Sequence, residues 1–174
     1  MDAMQAMLTR RSVRKYKDEM VPQDVIEKVI EAGTYAASAK GRQPWLILAV
    51  TNKELIYKLS VMNCVPMNAD RATYDPFFGA PVVLIVLAQK DIPTRAYDGS
   101  LVMGNLMLAA HAMGLGSCWV NRAYEEFETE EGKQILRDLG VEGEYEGVGH
   151  CVLGYADGPV REAAPRKDCV IYVK

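Results

Sequence analysis

The amino-acid sequence predicts an α+β fold in which helices sandwich one mixed sheet. Three observations lead there. A chain of 174 residues, 49% hydrophobic and 25% charged, has the composition of an ordinary globular domain and enough length to bury one core. Short apolar runs recur along it as candidate strands, and segments with helical spacing stand between them. The strands are too few, and too unevenly interleaved with helices, for a full doubly wound parallel sheet. No internal repeat or low-complexity linker interrupts the chain, so a single domain over residues 1–174 is expected.

Residues 2–8 can form a short helix. Pro22 stands where a second helix would begin, because its fixed φ and missing N–H suit a first turn; Val25, Ile26, Val29 and Ile30 follow at helical spacing. Residues 46–50 are a compact apolar run, and residues 82–88 (VVLIVLA) a longer, β-branched one after Pro81; both read as buried strands. Between them, residues 54–61 place Leu55, Ile56 and Leu59 on one helical face. Residues 99–113 are apolar on nearly every side and Gly114 supplies a stop, which predicts a central helix surrounded by protein, with Asn105 as an unexplained polar residue inside it. Residues 130–139 begin with acids and end before Gly140, as a helix does. Residues 147–155 (GVGHCVLGY) read as a strand whose glycines admit a close neighbour, and residues 169–173 (CVIYV) as a strand at the C-terminus.

The balance of 20 basic against 23 acidic side chains gives a net charge of −3, which argues against a nucleic-acid binder. No apolar run approaches the ~20 residues of a membrane helix, and the N-terminus lacks the basic-then-apolar order of a signal peptide, so no membrane partner and cytoplasmic residence are expected. Cys64, Cys118, Cys151 and Cys169 are far apart and form no CxxC pair; they read as reduced, mostly buried thiols, and no metal site is expected. Neither Gly114-Leu115-Gly116 nor Gly147-Val148-Gly149 continues into a dinucleotide fingerprint, and no triphosphate-binding loop or serine elbow is present. His111 and His150 read as satisfied core or interface histidines rather than catalytic ones.

The chemistry-bearing pattern is basic. Residues 10–17 (RRSVRKYK) place arginines around a hydroxyl just after a short helix, and the guanidinium fork matches phosphate oxygens. Taken alone the segment reads equally as a solvated basic turn. Arg166-Lys167 follows Pro165 near the other end, and convergence of the two clusters would make a phosphate site specific.

RRSVRKY near the N-terminus, SAKGRQPW at residues 38–45, GLGSCW at 114–119, and LGY followed by PRK at 165–167 resemble the signatures of the nitroreductase family, in the same order and over essentially the whole chain. The resemblance implies a three-layer sandwich with a central mixed, mainly antiparallel sheet flanked by helices. It implies an obligate homodimer whose C-terminal segments embrace the partner, and two flavin mononucleotide (FMN) sites at the interface. By this similarity Arg10, Arg11 and Ser12 hold the FMN phosphate and ribityl chain, Arg14 lies near the pyrimidine edge and nicotinamide entrance, and Arg166 and Lys167 close on the phosphate. Ser38, Ala39 and Lys40 reach the flavin from the partner subunit and Gln43 braces that loop; Gly41 stands where many relatives carry an asparagine. Asn68 and Arg71 resemble donors to the isoalloxazine ring. Ser117, Cys118, Trp119 and Asn121 resemble the segment beneath the ring, with a backbone N–H near Asn121 aimed at N5; plain core packing is the alternative for Cys118 and Trp119.

A flavin carries its own redox chemistry, which accounts for the scarcity of acid and base residues. The resemblance therefore implies an FMN-dependent enzyme taking electrons from NADH or NADPH and passing them, in ping-pong order, to nitroaromatics, quinones or similar acceptors. The scaffold also admits a flavin, ene or dehalogenating reductase, or a non-catalytic flavin- or phosphate-binding dimer.

Overall fold

The computed structural model describes residues 1–174. Helix α1 (Ala3–Thr9) starts at Asp2, whose side chain accepts the Gln5 N–H at 2.8 Å, and α2 (Gln23–Thr34) starts directly after Pro22. Strand β1 (Trp45–Val50) leads into α3 (Lys53–Cys64), which is capped by the Asn52 side chain accepting from the Leu55 N–H. Strand β2 (Val82–Gln89), helix α4 (Arg95–Ala112) and strand β3 (Gly116–Val120) follow. Two short helices, α5 (Ala123–Glu128) and α6 (Glu130–Asp138), meet at Thr129, which caps α6, and β4 (Tyr145–Gly154) completes the sheet.

The strand order is β1-β2-β4-β3, and all three ladders are antiparallel. The single parallel pairing is an isolated bridge between Ser12 and Ser117. Strand β2 lies inside the sheet and has residues 82–88 buried on both faces, which is why its sequence is continuously apolar rather than alternating. On one face Val83, Ile85 and Leu87 pack with Leu59 of α3, Phe127 of α5, and Ile135 and Leu136 of α6. On the other, Val82, Leu84 and Val86 pack with Ile26 and Val29 of α2 and with Val102 and Leu106 of α4. The result is three layers, helix–sheet–helix. No helix is long and apolar enough to cross a membrane.

Two expectations need correction. Residues 169–173 form no strand: they are exposed, with Ile171 at 90% and Val173 at 94%, and no hydrogen bond joins residues 158–174 to the rest of the chain. A strand exists through its neighbour, and this apolar run pairs with no strand of its own chain, although β1 has an unpaired side. Helix α4 is not enclosed on every side either. One stripe is buried, but Tyr97, Leu101 and Met113 are exposed, because this chain supplies no layer beyond α2 and α4. Asn105 is explained: its Nδ2 donates to the Ala32 carbonyl of α2 at 3.3 Å.

The expected close approach at the β4 glycines is present. Opposite β2 the register slips, pairing Val86 with Gly149 and Leu87 with Gly147, so Val148 is the extra residue of a bulge. A methyl group on Gly147 would overlap the Ala123 backbone, and one on Gly149 would lie 2.6 Å from the Trp119 indole nitrogen. The start of α5 and the indole thus sit directly on the β4 backbone.

Candidate functional site

The basic N-terminal arm is stitched to one end of the sheet. The Val13 N–H donates to the Ser117 carbonyl at 2.9 Å, the Lys17 N–H to the Tyr155 carbonyl at 2.9 Å, and the Asp157 N–H returns to the Lys15 carbonyl at 3.0 Å. Val13 and Tyr16 are buried as core residues, while Ser12 and Arg14, the neighbours of Val13, are exposed. Burial drives the Tyr16 hydroxyl far above its ordinary pKa and the Cys151 thiol up to about 12, so neither supplies an acid, base or nucleophile.

Beside this arm several buried donors have no partner in the chain: Arg10 Nη1, Arg11 Nε, Ser117 Oγ and Trp119 Nε1. Buried polar groups are normally satisfied, so a cluster of orphans along one arm and the adjoining strand marks where an acceptor-rich ligand would sit. Two unpaired guanidinium nitrogens and a hydroxyl suit a phosphoryl group, so the residues present fit the phosphate of FMN. A cleft of about 240 Å³ runs between residues 12–15 and residues 156–161, with Arg14 and Arg161 on its walls and Lys15 paired to Asp157 at 2.5 Å.

One further segment meets the arm, and another contact fixes the exit of β3. The guanidinium of Arg14 lies 6.0 Å from the ring centroid of Phe78, which brings the loop after α3 to the arm. At the exit of β3, the Asn121 carbonyl is held by Asn63 Nδ2 at 2.8 Å. Sequence reasoning missed Phe78, whose left-handed φ of 57° is uncommon for an aromatic residue; nothing in its spacing signals a site.

The remaining expected residues are placed less centrally. Residues 38–43 form a loop, half-buried at Ser38 and Ala39 and exposed from Lys40 to Gln43, with left-handed φ values at Lys40 (57°), Gly41 (65°) and Gln43 (49°), a geometry glycine takes without penalty. The Gln43 N–H donates to Ser38 Oγ at 3.0 Å, and the Ala39 N–H donates to the buried carboxylate of Asp98 on α4 at 3.0 Å. Asp98, which the sequence did not single out, is what anchors this loop. Asn68 is exposed in a left-handed turn, while Arg71 is occupied with Ser60 at 2.5 Å and Asp75 at 3.3 Å. Cys118 is a core residue packed among Tyr16 and Val152. Arg166 and Lys167 are exposed and make no hydrogen bond or ion pair with Arg10, Arg11 or Ser12, so one chain alone does not bring the two basic clusters together.

His111, bonded to Thr9 Oγ1 at 2.8 Å, reports on the arm's charge. Burial first, then Arg10 and Arg11, holds its pKa below the ordinary 6.5. A histidine depressed in the folded state binds its proton later than in the unfolded chain, so its stability contribution is present above pH 6.5 and declines as pH falls from there through the folded value. Comparing the chain with His111→Gln between about pH 7.5 and about pH 5 should therefore show a thermal midpoint that falls more steeply in the parent, and an NMR titration should show the His111 midpoint rising when an anion neutralises Arg10 and Arg11. A His111 midpoint at or above 6.5 would contradict this electrostatic picture.

The model of the Nitroreductase family matches residues 7–155. A putative NADH dehydrogenase/NAD(P)H nitroreductase of Methanothermobacter thermautotrophicus is 34% identical over 123 residues, covering 68% of this chain and 60% of the relative, so the match spans only three fifths of that protein's length. A nitroreductase with bound FMN from Bacteroides fragilis superimposes with a TM-score of 0.89 at 25% identity, over 100% of both chains. One from Desulfitobacterium hafniense, also with bound FMN, superimposes at 0.88 and 23% identity over 100% of both, a likeness of fold alone.

Proposed function

Given that the chain belongs to the nitroreductase family, we propose that residues 1–174 form an FMN-dependent oxidoreductase that takes electrons from NADH or NADPH and reduces nitroaromatics, quinones or similar small acceptors in ping-pong order. The observation carrying this is the row of unpartnered buried donors at Arg10, Arg11, Ser117 and Trp119 beside the outward-facing Ser12 and Arg14. The relatives' NAD(P)H-linked names and FMN-bound structures support the same cofactor and donor. When bound, FMN would supply the redox chemistry, carrying electrons from the nicotinamide to the acceptor. The chain's residues bind and orient. Arg10, Arg11 and Ser12 take the phosphate and ribityl chain, Arg14 beside Phe78 borders the nicotinamide entrance, and Ser117 to Asn121 underlie the ring. Cations close to the pyrimidine edge stabilise negative charge there.

The working unit is a homodimer. The exposed apolar side chains of α1 (Met4, Met7, Leu8) and of α4 (Tyr97, Leu101) form a surface that water disfavours, and Ser38 to Gln43 lie on a loop tethered to α4 through Asp98. Pairing would let that loop and the basic Arg166-Lys167 pair complete the site.

The direct test is FMN uptake. Purified chain should be yellow and should oxidise NADH or NADPH with nitroaromatic or quinone acceptors. The double change Arg166→Ala/Lys167→Ala should raise the Kd for FMN by roughly 10–100-fold while the thermal midpoint of the apoprotein stays within about 2 °C, because two charge-assisted contacts are lost from exposed positions. A colourless protein that gains no stability with FMN would sink the reading, and unchanged retention in the double variant would remove those two residues from the site.

A further inference from the structure

Beneath the β3 exit lies a polar cluster that cofactor binding leaves unused. His150 of β4, Glu126 of α5 and Asn63 of α3 are buried at 0%, 1% and 0% exposure, yet all three are polar. His150 Nε2 lies 3.0 Å from Glu126 Oε2, and its Nδ1 lies 3.3 Å from the Val120 carbonyl. Asn63 Nδ2 donates to Glu126 Oε1 and also to the Asn121 carbonyl at 2.8 Å. Both imidazole nitrogens thus face acceptors. The three side chains form one hydrogen-bonded cluster. Phe77 shields it, its ring centroid 5.1 Å from that of His150.

Such a cluster is an inefficient way to gain stability, since buried ion pairs are often matched or bettered by apolar residues of the same volume. What it does is grip two consecutive carbonyls, those of Val120 and Asn121. All peptides are trans, so the amide across each gripped peptide points the opposite way. Those are the Asn121 and Arg122 N–H groups, and neither has an acceptor anywhere in the chain. Arg122 is moreover left-handed at φ 79°, a conformation costly for a non-glycine residue that persists where its surroundings impose it. From the other side, Ala123 is pressed onto Gly147 too closely to admit a methyl group.

We infer that Asn63, Glu126 and His150 are positioning residues: they clamp the Val120 and Asn121 carbonyls so that the Asn121 and Arg122 amides are held fixed, facing the flavin ring. This rests on the FMN reading above. The cluster touches neither cofactor nor substrate; it acts through the backbone. Displacing a reacting geometry by an ångström costs on the order of 100-fold in rate, so the effect belongs on the chemical step rather than on affinity.

The test compares Glu126→Gln, His150→Gln and Asn63→Leu with Leu59→Ala, a core truncation in the same layer that leaves the clamp intact. Flavin reduction by NADH and NADPH is followed by stopped flow on FMN-loaded protein, and hydrogen exchange is followed across residues 117–126 in the same samples. In the three clamp variants the reduction rate should fall by roughly 10–100-fold with the KM for nicotinamide changing by less than about threefold. Exchange across residues 117–126 should quicken while β2 stays protected. Leu59→Ala should lose thermal stability but keep both the rate and the protection. Wild-type rates and exchange in the clamp variants, or an equal loss in Leu59→Ala, would overturn the inference. Should Glu126→Gln or His150→Gln not fold, Asn63→Leu decides alone, since it leaves the His150–Glu126 pair in place. A wild-type protein that takes up no FMN would instead overturn the functional reading, a failure visible before any variant is made.

Discussion

Gly147→Ala is expected to lower the thermal midpoint by roughly 6–12 °C, through a loss of about 3 kcal/mol, and to abolish most cofactor-linked activity. The added methyl would overlap the backbone carbon and oxygen of Ala123, and backbone cannot swing aside as a side chain can. On β4 the neighbouring positions are fixed by their pairing with buried β2, so the strand cannot retreat. Helix α5 must then move. It is boxed in on its far side as well, because Gly132 of α6 lies against the Glu126 carbonyl with no room for a methyl group. Moving α5 drags Glu126 away from His150 and turns the Arg122 peptide, so stability and the proposed cofactor contact fail together. Thermal unfolding followed by circular dichroism, with flavin absorbance in parallel, reads both. A midpoint within about 2 °C of the parent would mean that α5 is freer than its packing implies.

How much of this was legible in the sequence depends on whether a signal was local. Residues 82–88 announced β2 because a strand buried on both faces must be apolar throughout. The 3.6-residue spacing at Leu55, Ile56 and Leu59 likewise gave α3, and Pro22 gave the start of α2. Strand β3 was read only as a motif, since its five residues, GSCWV, mix small, polar and aromatic side chains without alternation. Helix α5, six residues with acids at Glu125, Glu126 and Glu128, offers only the pair Ala123 and Phe127 as an apolar face, too short a signal to read, and is fixed by packing on Gly147. For the site, the basic arm was visible as composition, but its contact with Ser117 depends on a bridge between residues far apart in sequence. The clamp was invisible for the same reason. Positions 63, 126 and 150 share no spacing; they meet because Val120 pairs with His150 in the β3–β4 register while α3 and α5 pack over one end of that ladder. Residues 169–173 show the opposite error: a genuine strand-forming composition that pairs with no strand of its own chain.

Removing residues 169–174 is expected to turn a dimer into a monomer at micromolar concentration and to release FMN. Val170, Ile171, Tyr172 and Val173 are all exposed, although each would contribute about 1.5–3 kcal/mol if buried. At the edge of the sheet, β1 has an unpaired side, and a groove of about 500 Å³ lined by Leu46, Leu48, Val50, Leu55, Leu139 and Val141 runs alongside it. An open edge with apolar surroundings and an apolar extended segment without a partner are complementary, and exchange between two copies satisfies both. The opposite edge is not available in the same way, since Ser12 bridges to β3 and the Val13 N–H bonds to Ser117. Loss of that segment should then, on the proposed site, carry Arg166 and Lys167 away from the FMN phosphate even though neither is deleted. Sedimentation velocity on the truncated chain should show a single monomeric species, and Ile171→Asp should reproduce most of the effect with the length preserved, because a carboxylate is expelled from an apolar groove. FMN should dissociate from both variants on desalting. A truncated protein that remains dimeric and yellow would place the dimer contact on α1 and α4 alone and leave the C-terminal run without a structural role.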